Sequence, residues 1–336
     1  MNANKRMKQV WLVWDRFGIL IIFILIAAGF AILEPRVIEL NQIASVLNRS
    51  SWVAVAAIGM TFAICSGGFD LSVGSIMSLG GAILAKTMME NGFNTWAAIL
   101  TTLAVAAVCG LINGLLITKL RIQPFVATLS TMLVYSGVTQ VYTENIGTRV
   151  ETEQYQQGLM QIGRGLSVSF NFFGQAVEIS LTKILIIVVL LAIAIIVYRN
   201  TRFGTKVRAI GSNELSARTS GINADGVLII VYMMTAVMAA VAAILFVSTL
   251  QTASPRAGSG FELQVITAVV LGGTALSGGK GNLIGTFLGA FLVTFVRMCL
   301  NFLKASEAMI VIVTGGILLF ALSINGIKLI MQREVN

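Results

Sequence analysis

The chain has 336 residues, of which 57% are hydrophobic and only 11% are charged, and its formal net charge is +9. A soluble globular domain carries about 25% charged residues, so this composition excludes an ordinary water-soluble domain. The mean hydropathy of +0.89 and the long unbroken apolar runs favour membrane-spanning helices, because about 20 apolar residues cross the hydrocarbon core and a helix bonds its backbone amides internally.

The first apolar run, residues 17–33, follows a basic N-terminal segment and resembles a secretory signal peptide. No small-residue cleavage site follows it, only Glu34-Pro35-Arg36. We therefore expect a membrane span that is retained.

The sequence contains no motif that is typical of an enzyme or of a metal site. Histidine is absent, and Cys65, Cys109 and Cys299 all lie in apolar runs without metal-ligand spacing. No nucleophile lies beside a base, and no carboxylates are paired. We expect a chain that is not an enzyme and holds no metal.

Ten apolar runs predict ten membrane spans with the N-terminus in the cytoplasm. The spans cover residues 17–33, 50–66, 71–89, 96–118, 124–142, 181–198, 226–250, 262–277, 283–303 and 308–326. The inner segments then hold 14 of the 23 basic and five of the 14 acidic residues, a net charge of +9, and the outer segments are neutral. Because Lys and Arg favour the cytoplasmic side, membrane topology accounts for the basic pI without nucleic acid.

The predicted organisation is a single transmembrane permease domain, residues 1–336. Its cytoplasmic parts are the termini, 1–16 and 327–336, and an inner loop, 199–225. The longest outer segment, 143–180, is polar and would lie in the periplasm.

The inner loop contains a short capped helical pattern in residues 211–221. Ser212 or Asn213 can accept hydrogen bonds from the first free amides, and a final glycine can end the helix. Glu214 suits the N-terminal end, Arg218 suits the C-terminal end, and the two are four residues apart, in the order that favours an ion pair.

Glycine pairs interrupt the apolar runs in two places, at residues 66–75 and 271–282. If spans 2–5 and 7–10 are inverted repeats, broken helices in corresponding halves indicate a transport path. Asp70, between two apolar runs, can cap the third span or contact a substrate. The amides of Gln123 and Gln264 suit a polyhydroxylated ligand or bonding between helices. The candidate path residues are Gly67, Gly68, Asp70, Ser72, Gln123, Gln264, Gly272, Gly273 and Ser277.

The segment Gly278-Gly279-Lys280-Gly281 superficially resembles a nucleotide-binding loop. A P-loop needs a glycine where this chain has Thr274, and Ser or Thr where it has Gly281. We therefore expect any ATPase to be a separate polypeptide.

A series of motifs runs in order along the chain. It comprises Ala57-Ile58-Gly59-Met60-Thr61, Gly67-Gly68-Phe69-Asp70-Leu71-Ser72-Val73-Gly74-Ser75, Ile112-Asn113-Gly114-Leu115, Ile122-Gln123-Pro124-Phe125, Thr201-Arg202-Phe203-Gly204, Ala209-Ile210-Gly211-Ser212-Asn213-Glu214 and Val269-Val270-Leu271-Gly272-Gly273-Thr274. In this order and spacing the chain resembles the permease subunits of the ribose/galactose/arabinose branch of bacterial ABC importers, most of all those of the ribose type.

The resemblance implies an all-α, type II importer permease in the bacterial inner membrane. Two such chains, copies or paralogues, would surround one path through the lipid. A cytoplasmic ATP-binding subunit would use ATP and magnesium, while this chain would bind no cofactor, and a periplasmic sugar-binding protein would deliver the substrate.

The resemblance also implies that the inner loop carries a coupling helix that docks on the ATPase. The residues assigned to it are Gly211, Ser212, Asn213, Glu214, Ala217, Arg218, Ser220 and Gly221. Leu215 and Ser216 stand where the family commonly has two alanines, which bears on the specificity of that contact.

The substrate stays open at this stage. Ribose or a related monosaccharide is expected, and related permeases carry nucleosides, furanosyl signals or branched-chain amino acids. An ion-coupled secondary carrier would need a titratable cluster at mid-membrane, where this chain offers only Asp70, with Arg297 near the outer end of a span.

Overall fold

Apolar runs become helices along almost the whole chain. The computed structural model describes the backbone of residues 2–150, 153, 158–172 and 175–334, and the side chains of 18–150, 153, 158–171 and 176–323. Thirteen α-helices lie in this described part: α1 Asn2–Leu33, α2 Leu40–Cys65, α3 Val73–Met89, α4 Thr95–Thr118, α5 Pro124–Tyr142, α6 Met160–Arg164, α7 Leu181–Asn200, α8 Arg202–Ser212, α9 Glu214–Thr219, α10 Ala224–Leu250, α11 Phe261–Leu271, α12 Leu283–Phe302 and α13 Glu307–Glu334. A 3₁₀ helix, Pro35–Ile38, joins α1 to α2.

Short strands occupy the loops between helices. Strands β1 (Thr148–Arg149) and β4 (Thr252–Ala253) pair antiparallel, with Thr148 opposite Ala253. Strands β2 (Ser167–Phe172) and β3 (Gln175–Ser180) form an antiparallel hairpin. The predicted outer segment 143–180 is thus partly structured, and its residues 151–152, 154–157 and 173–174 lie outside the description.

Each predicted span coincides with a helix. Within the described residues, α2, α4, α7, α10 and α12 are each long and apolar enough to cross a membrane, and Gly18–Leu33, α3, α11 and Glu307–Ser323 are shorter apolar helices. Four helices depart from the predicted spans by six residues or more. Helix α1 begins at Asn2 and α13 ends at Glu334, each beyond the predicted span, and the other two are α2 and α11. Helix α2 begins at Leu40 rather than at residue 50, because polar residues on its first turns lower the hydropathy there. Helix α11 ends at Leu271 rather than at 277, because Gly273 turns the backbone at φ +85°.

Helix α10 lies at the centre of the bundle and packs against α2, α3 and α4. The closest approach is to α4 at two glycines. A Cβ added at Gly110 would lie 2.5 Å from the Cα of Met233, and one at Gly114 would lie 2.7 Å from the Cα of Ile229. Because lipid supplies no hydrophobic force between helices, such small residues let backbones pack closely.

The outer faces of several helices are apolar and exposed. These side chains include Ile24, Leu25, Leu100, Val108, Leu133, Val134, Leu185, Ile193, Val311 and Leu319. They belong to α1, α4, α5, α7 and α13, so these helices present apolar side chains on the outside of the bundle.

The loops collect at two ends of the bundle. At one end, Lys119 and Arg121 approach Asp225 to 3.6 and 3.7 Å, and Gly279 N–H donates to the carbonyl of Cys65 at 2.9 Å. At the other end β1 pairs with β4, and Asn48 of α2 bonds to the β2–β3 hairpin. Loops predicted to share a membrane face therefore share an end of the bundle.

The starts of α3 and α11 are repeated sequence. Residues 68–84 align without a gap to residues 260–276: Gly-Phe-Asp-Leu-Ser-Val matches Gly-Phe-Glu-Leu-Gln-Val, and both segments continue to Leu-Gly-Gly. The two starts meet in space, where Gly258 N–H donates to Ser78 Oγ at 2.8 Å and a Cβ on Gly258 would lie 1.8 Å from the carbonyl oxygen of Gly74. The break at residues 66–75 therefore corresponds to the start of α11. The predicted correspondence with the Gly-Gly break at residues 271–282 was wrong.

Candidate functional site

A cavity of about 830 Å³ lies at the end of the bundle that carries the predicted outer loops. Its two main walls are Gln42, Ser45, Arg49 and Trp52 of α2, and Thr294, Arg297, Met298 and Asn301 of α12. Residues three or four apart share one helix face, so each set projects into the same space. The volume falls within the range of about 300–1,000 Å³ typical of small-molecule sites.

The remaining lining comes from the repeat at α11 and from its neighbours. Arg256 and Ser259 come from the loop before α11, Gln264 from its first turn, and Phe246 from the end of α10. Gln264 is 8% exposed, and its side-chain amide makes no hydrogen bond to any described residue. That amide is therefore free to bond a molecule in the cavity.

Aromatic rings complete the lining. Trp52 and Phe246 meet edge to face with their ring centroids 5.6 Å apart. Flat apolar rings beside amides and hydroxyls match a molecule with polar groups around an apolar face, such as a sugar ring.

The predicted path residues divide between the two ends. Gln264 alone of that set lines the cavity. Gln123 is exposed before α5, where its side chain makes no capping bond, and Ser277 is exposed in the loop after α11. Both lie at the end of the bundle that carries α8 and α9.

Asp70 belongs to a buried polar network. Its Oδ1 accepts from the backbone N–H of Ser72 at 2.9 Å and from the Ser72 hydroxyl at 2.5 Å. Asn113 Nδ2 donates to the same hydroxyl at 2.8 Å, and the Tyr135 hydroxyl donates to the Cys109 carbonyl at 3.0 Å and to Asn113 Oδ1 at 3.4 Å. Asp70 therefore closes the turn that ends at Ser72, the N-cap residue of α3. The network connects the break between α2 and α3 to helices α4 and α5.

The glycines of the two breaks meet helix α8 at Gly211. A Cβ added there would lie 1.8 Å from the carbonyl oxygen of Cys65 and 2.7 Å from the amide nitrogen of Gly279. Gly67 is also a neighbour, because its own added Cβ would lie 3.7 Å from the Cα of Gly211. Backbone from α8 is thus wedged between the end of α2 and the loop that follows α11.

Gly68, Gly272 and Gly273 lie in the same two breaks. Gly68 packs beside Tyr232 and Pro124. An added Cβ at Gly272 would lie 2.4 Å from the amide nitrogen of Thr286, so the end of α11 rests on the backbone of α12.

Directly after Gly211 the chain forms the short helix α9 that the sequence predicted. Asn213 Oδ1 accepts from Ser216 N–H at 2.8 Å and caps the helix. Arg218 pairs with Asp225 at 2.5 Å and with Glu214 at 2.7 Å, and these hydrogen bonds raise the pKa of Arg218. Because Asp225 also faces Lys119 and Arg121, α9 is fixed to the bundle at its C-terminal end.

The predicted coupling residues divide into two groups. Ser212, Asn213, Glu214, Ser220 and Gly221 are exposed, Arg218 and Gly211 are half-buried, and Ala217 is buried at 4% exposure. Ala217 anchors α9 to the bundle and offers no surface to a partner. Leu215, which was not among the assigned coupling residues, is 73% exposed and extends the available surface.

Sequence reasoning also missed most of the cavity. Arg49, Trp52, Arg256 and Asn301 were not singled out. The available signal was the polar spacing of Gln42, Ser45 and Arg49 just before a predicted span, which places three polar groups on one helix face.

Comparison with known proteins identifies the family. A family model described as a branched-chain amino acid transport system / permease component matches residues 42–322. The chain belongs to this permease family. No solved structure gave a significant match.

Relatives of this permease include several sugar importers. The ribose import permease protein of Escherichia coli (strain K12) is 35% identical over 332 residues, 98% of each chain. That of Bacillus subtilis (strain 168) is 37% identical over 304 residues, 90% of this chain and 89% of the relative. The D-allose transport system permease protein of E. coli is 31% identical over 326 residues, 96% of this chain and 95% of the relative.

The family assignment confirms the resemblance read from the motifs. The chain is a multi-pass inner-membrane permease subunit of an ABC sugar importer, and ATP hydrolysis belongs to a separate subunit.

Proposed function

We propose that this chain pairs with a second permease, a copy of itself or a paralogue, to import ribose or a related monosaccharide. A periplasmic binding protein delivers the sugar at the cavity end, and a cytoplasmic ATPase drives the cycle at the α9 end. Both termini lie in the cytoplasm, and ATP and magnesium are used by the ATPase alone.

The observation that carries the proposal is that the two ends of the bundle have different features. The cavity, with its aromatic, amide and hydroxyl lining, lies at one end. The exposed, fixed helix α9 lies at the other. A substrate entry site and an energy-coupling site on opposite membrane faces are what an ATP-driven importer needs.

Glycine backbone contacts join the coupling end to the helix breaks. Movement of α9 carries Gly211 with it, and Gly211 touches both the end of α2 and the loop after α11. Helices α2 and α11 both line the cavity. A shift at the ATPase contact therefore reaches the cavity through two helices at once.

The test is uptake into proteoliposomes that contain this chain, its ATPase and its binding protein. We expect ATP-dependent uptake of a labelled monosaccharide and none of labelled leucine. Uptake of leucine in preference to every sugar, or sugar uptake that does not need ATP, would overturn the proposal.

A further inference from the structure

The cavity has an exposed mouth and a buried floor. The lining residues that are exposed to solvent include Arg49, Ser259, Arg297 and Asn301. The lining residues that are buried are Met77, Phe261, Gln264 and Thr294. A molecule that enters through the mouth therefore reaches these four side chains last.

Helices α11 and α12 close the cavity below this floor. Ala268 follows Gln264 by one turn on α11, and Gly289 precedes Thr294 on α12. A Cβ added at Gly289 would lie 2.0 Å from the carbonyl oxygen of Ala268, so the two backbones touch there. A sugar on the floor therefore cannot pass between α11 and α12 while this contact holds.

Gln264 is a polar group on the floor whose hydrogen-bonding capacity is unused. Its side-chain amide makes no hydrogen bond to any described residue, and burial of such an amide is costly. A sugar hydroxyl both donates and accepts, so it can use the amide fully. Thr294 donates its hydroxyl hydrogen to the Ala290 carbonyl at 2.8 Å and keeps its oxygen as an acceptor.

We infer that the permease itself selects its substrate at this floor, where Gln264 and Thr294 bond hydroxyls of a neutral sugar and Met77 and Phe261 contact its C–H groups. The inference rests on the proposed function and adds to it a specificity site in the membrane-spanning subunit. None of the four floor residues carries a charge, which matches a neutral ligand.

Water can bond to Gln264 while the cavity is empty of sugar. A sugar hydroxyl replaces that water with an equivalent donor and acceptor, so no hydrogen bond is lost when the sugar enters. A sugar that lacks this hydroxyl displaces the water and leaves the amide unpaired. A site built to bond a hydroxyl therefore discriminates strongly against the deoxy form.

The experiment measures ATP-driven uptake by the complete importer in proteoliposomes. The probes are labelled ribose and its 2-deoxy, 3-deoxy and 5-deoxy forms, each at a concentration that saturates the binding protein. We expect Gln264→Leu to lower ribose uptake at least about tenfold. One deoxy form should enter the parent importer at a similarly reduced rate, and Gln264→Leu should slow it no further, because the hydrogen bond is already absent.

Two further variants complete the design. Gln140→Leu removes an amide from α5, which does not line the cavity, and should keep full uptake of ribose. Thr294→Val removes a floor hydroxyl at nearly constant volume, and it should also slow ribose while leaving one deoxy form unaffected. It keeps the inference testable if Gln264→Leu does not assemble with the ATPase.

Ribose uptake at the parent rate in Gln264→Leu and Thr294→Val would overturn the inference and leave the proposed function intact. The same slowing of ribose and of all three deoxy forms would also overturn it, because the side chains would then act on the fold and not on a hydroxyl. Leucine uptake without uptake of ribose would instead contradict the proposed function.

Discussion

Asn113 joins three helices through one side-chain amide. It donates to Ser72 in the turn before α3, accepts from Tyr135 of α5 and itself belongs to α4. All three side chains are buried, so removal of the amide takes one hydrogen bond from the Ser72 hydroxyl and one from the Tyr135 hydroxyl where no water replaces them, although each hydroxyl keeps a second partner.

We therefore expect Asn113→Ala to lower the free energy of unfolding by about 1–2 kcal/mol. The measurement is unfolding of the purified chain in detergent, followed by circular dichroism. Ser130→Ala is the control, since its exposed hydroxyl bonds only to the Val126 carbonyl of its own helix, and it should change stability by less than about 0.5 kcal/mol. Equal effects of the two substitutions would show that the network adds nothing.

At the residue scale, features that depend on neighbours along the chain could be predicted from the sequence. Contacts between segments far apart in the chain could not. The capping of α9 by Asn213 and the pairing of Glu214 with Arg218 depend on neighbours along the chain, so the sequence predicted both. Arg49 and Arg297 resemble ordinary outer-end charges in the sequence, because only the packing of α2 against α12 places them at one cavity.

Helix α9 and Gly211 form the coupling element that we propose. The cap and the ion pairs fix α9 to the bundle, and its exposed surface includes Glu214 and Leu215. Two separate changes test its two contacts, one outward to the ATPase and one inward to the helix breaks.

Glu214→Arg tests the outward contact. It opposes the positive helix start and places like charge four residues before Arg218, a local cost of about 1 kcal/mol, too small to unfold the chain. We expect loss of assembly with the ATPase or of substrate-stimulated ATP hydrolysis. Glu90→Arg breaks a comparable pair with Lys86 at the opposite end and should leave both unchanged. Normal assembly, stimulation and uptake in Glu214→Arg would remove Glu214 from the coupling contact.

Gly211→Ala tests the inward contact. The added methyl would lie 1.8 Å from the Cys65 carbonyl oxygen, so α8 must move away from both breaks. We expect at least a tenfold loss of uptake with the ATPase still bound. Gly137→Ala is matched, because apart from its own helix backbone no described atom lies within 4 Å of its added Cβ. Full uptake by Gly211→Ala would mean that the junction does not transmit coupling.

At the element scale, hydropathy predicted the ten helices but not how they end. Helix α3 continues through Gly80 and Gly81, whereas the repeated sequence in α11 stops at Gly272 and Gly273. The difference lies in tertiary packing, since Gly272 rests on the backbone of α12. The repeat itself is present in the sequence, where residues 68–84 align with residues 260–276. A direct comparison of the two Gly-Gly breaks misses this alignment.

At the scale of the whole molecule, we propose that the two ends of the bundle lie on opposite sides of the membrane. A reporter fused after Glu214 should be active only in the cytoplasm, and one fused after Gly165 only in the periplasm. The same compartment for both, or the reverse of this pattern, would contradict the topology.

We propose that the sugar crosses the membrane through the cavity. Ser259 lines it and is exposed, and the native cysteines Cys65, Cys109 and Cys299 are buried, so Ser259→Cys offers one accessible thiol. The deciding measurement is ATP-driven sugar uptake after that thiol has reacted with a membrane-impermeant reagent. We predict that labelling lowers uptake at least tenfold and that the sugar-loaded binding protein slows the labelling, whereas Ser169→Cys on the exposed hairpin reacts without effect. A fully labelled Ser259→Cys importer that still transports at the parent rate would contradict the account.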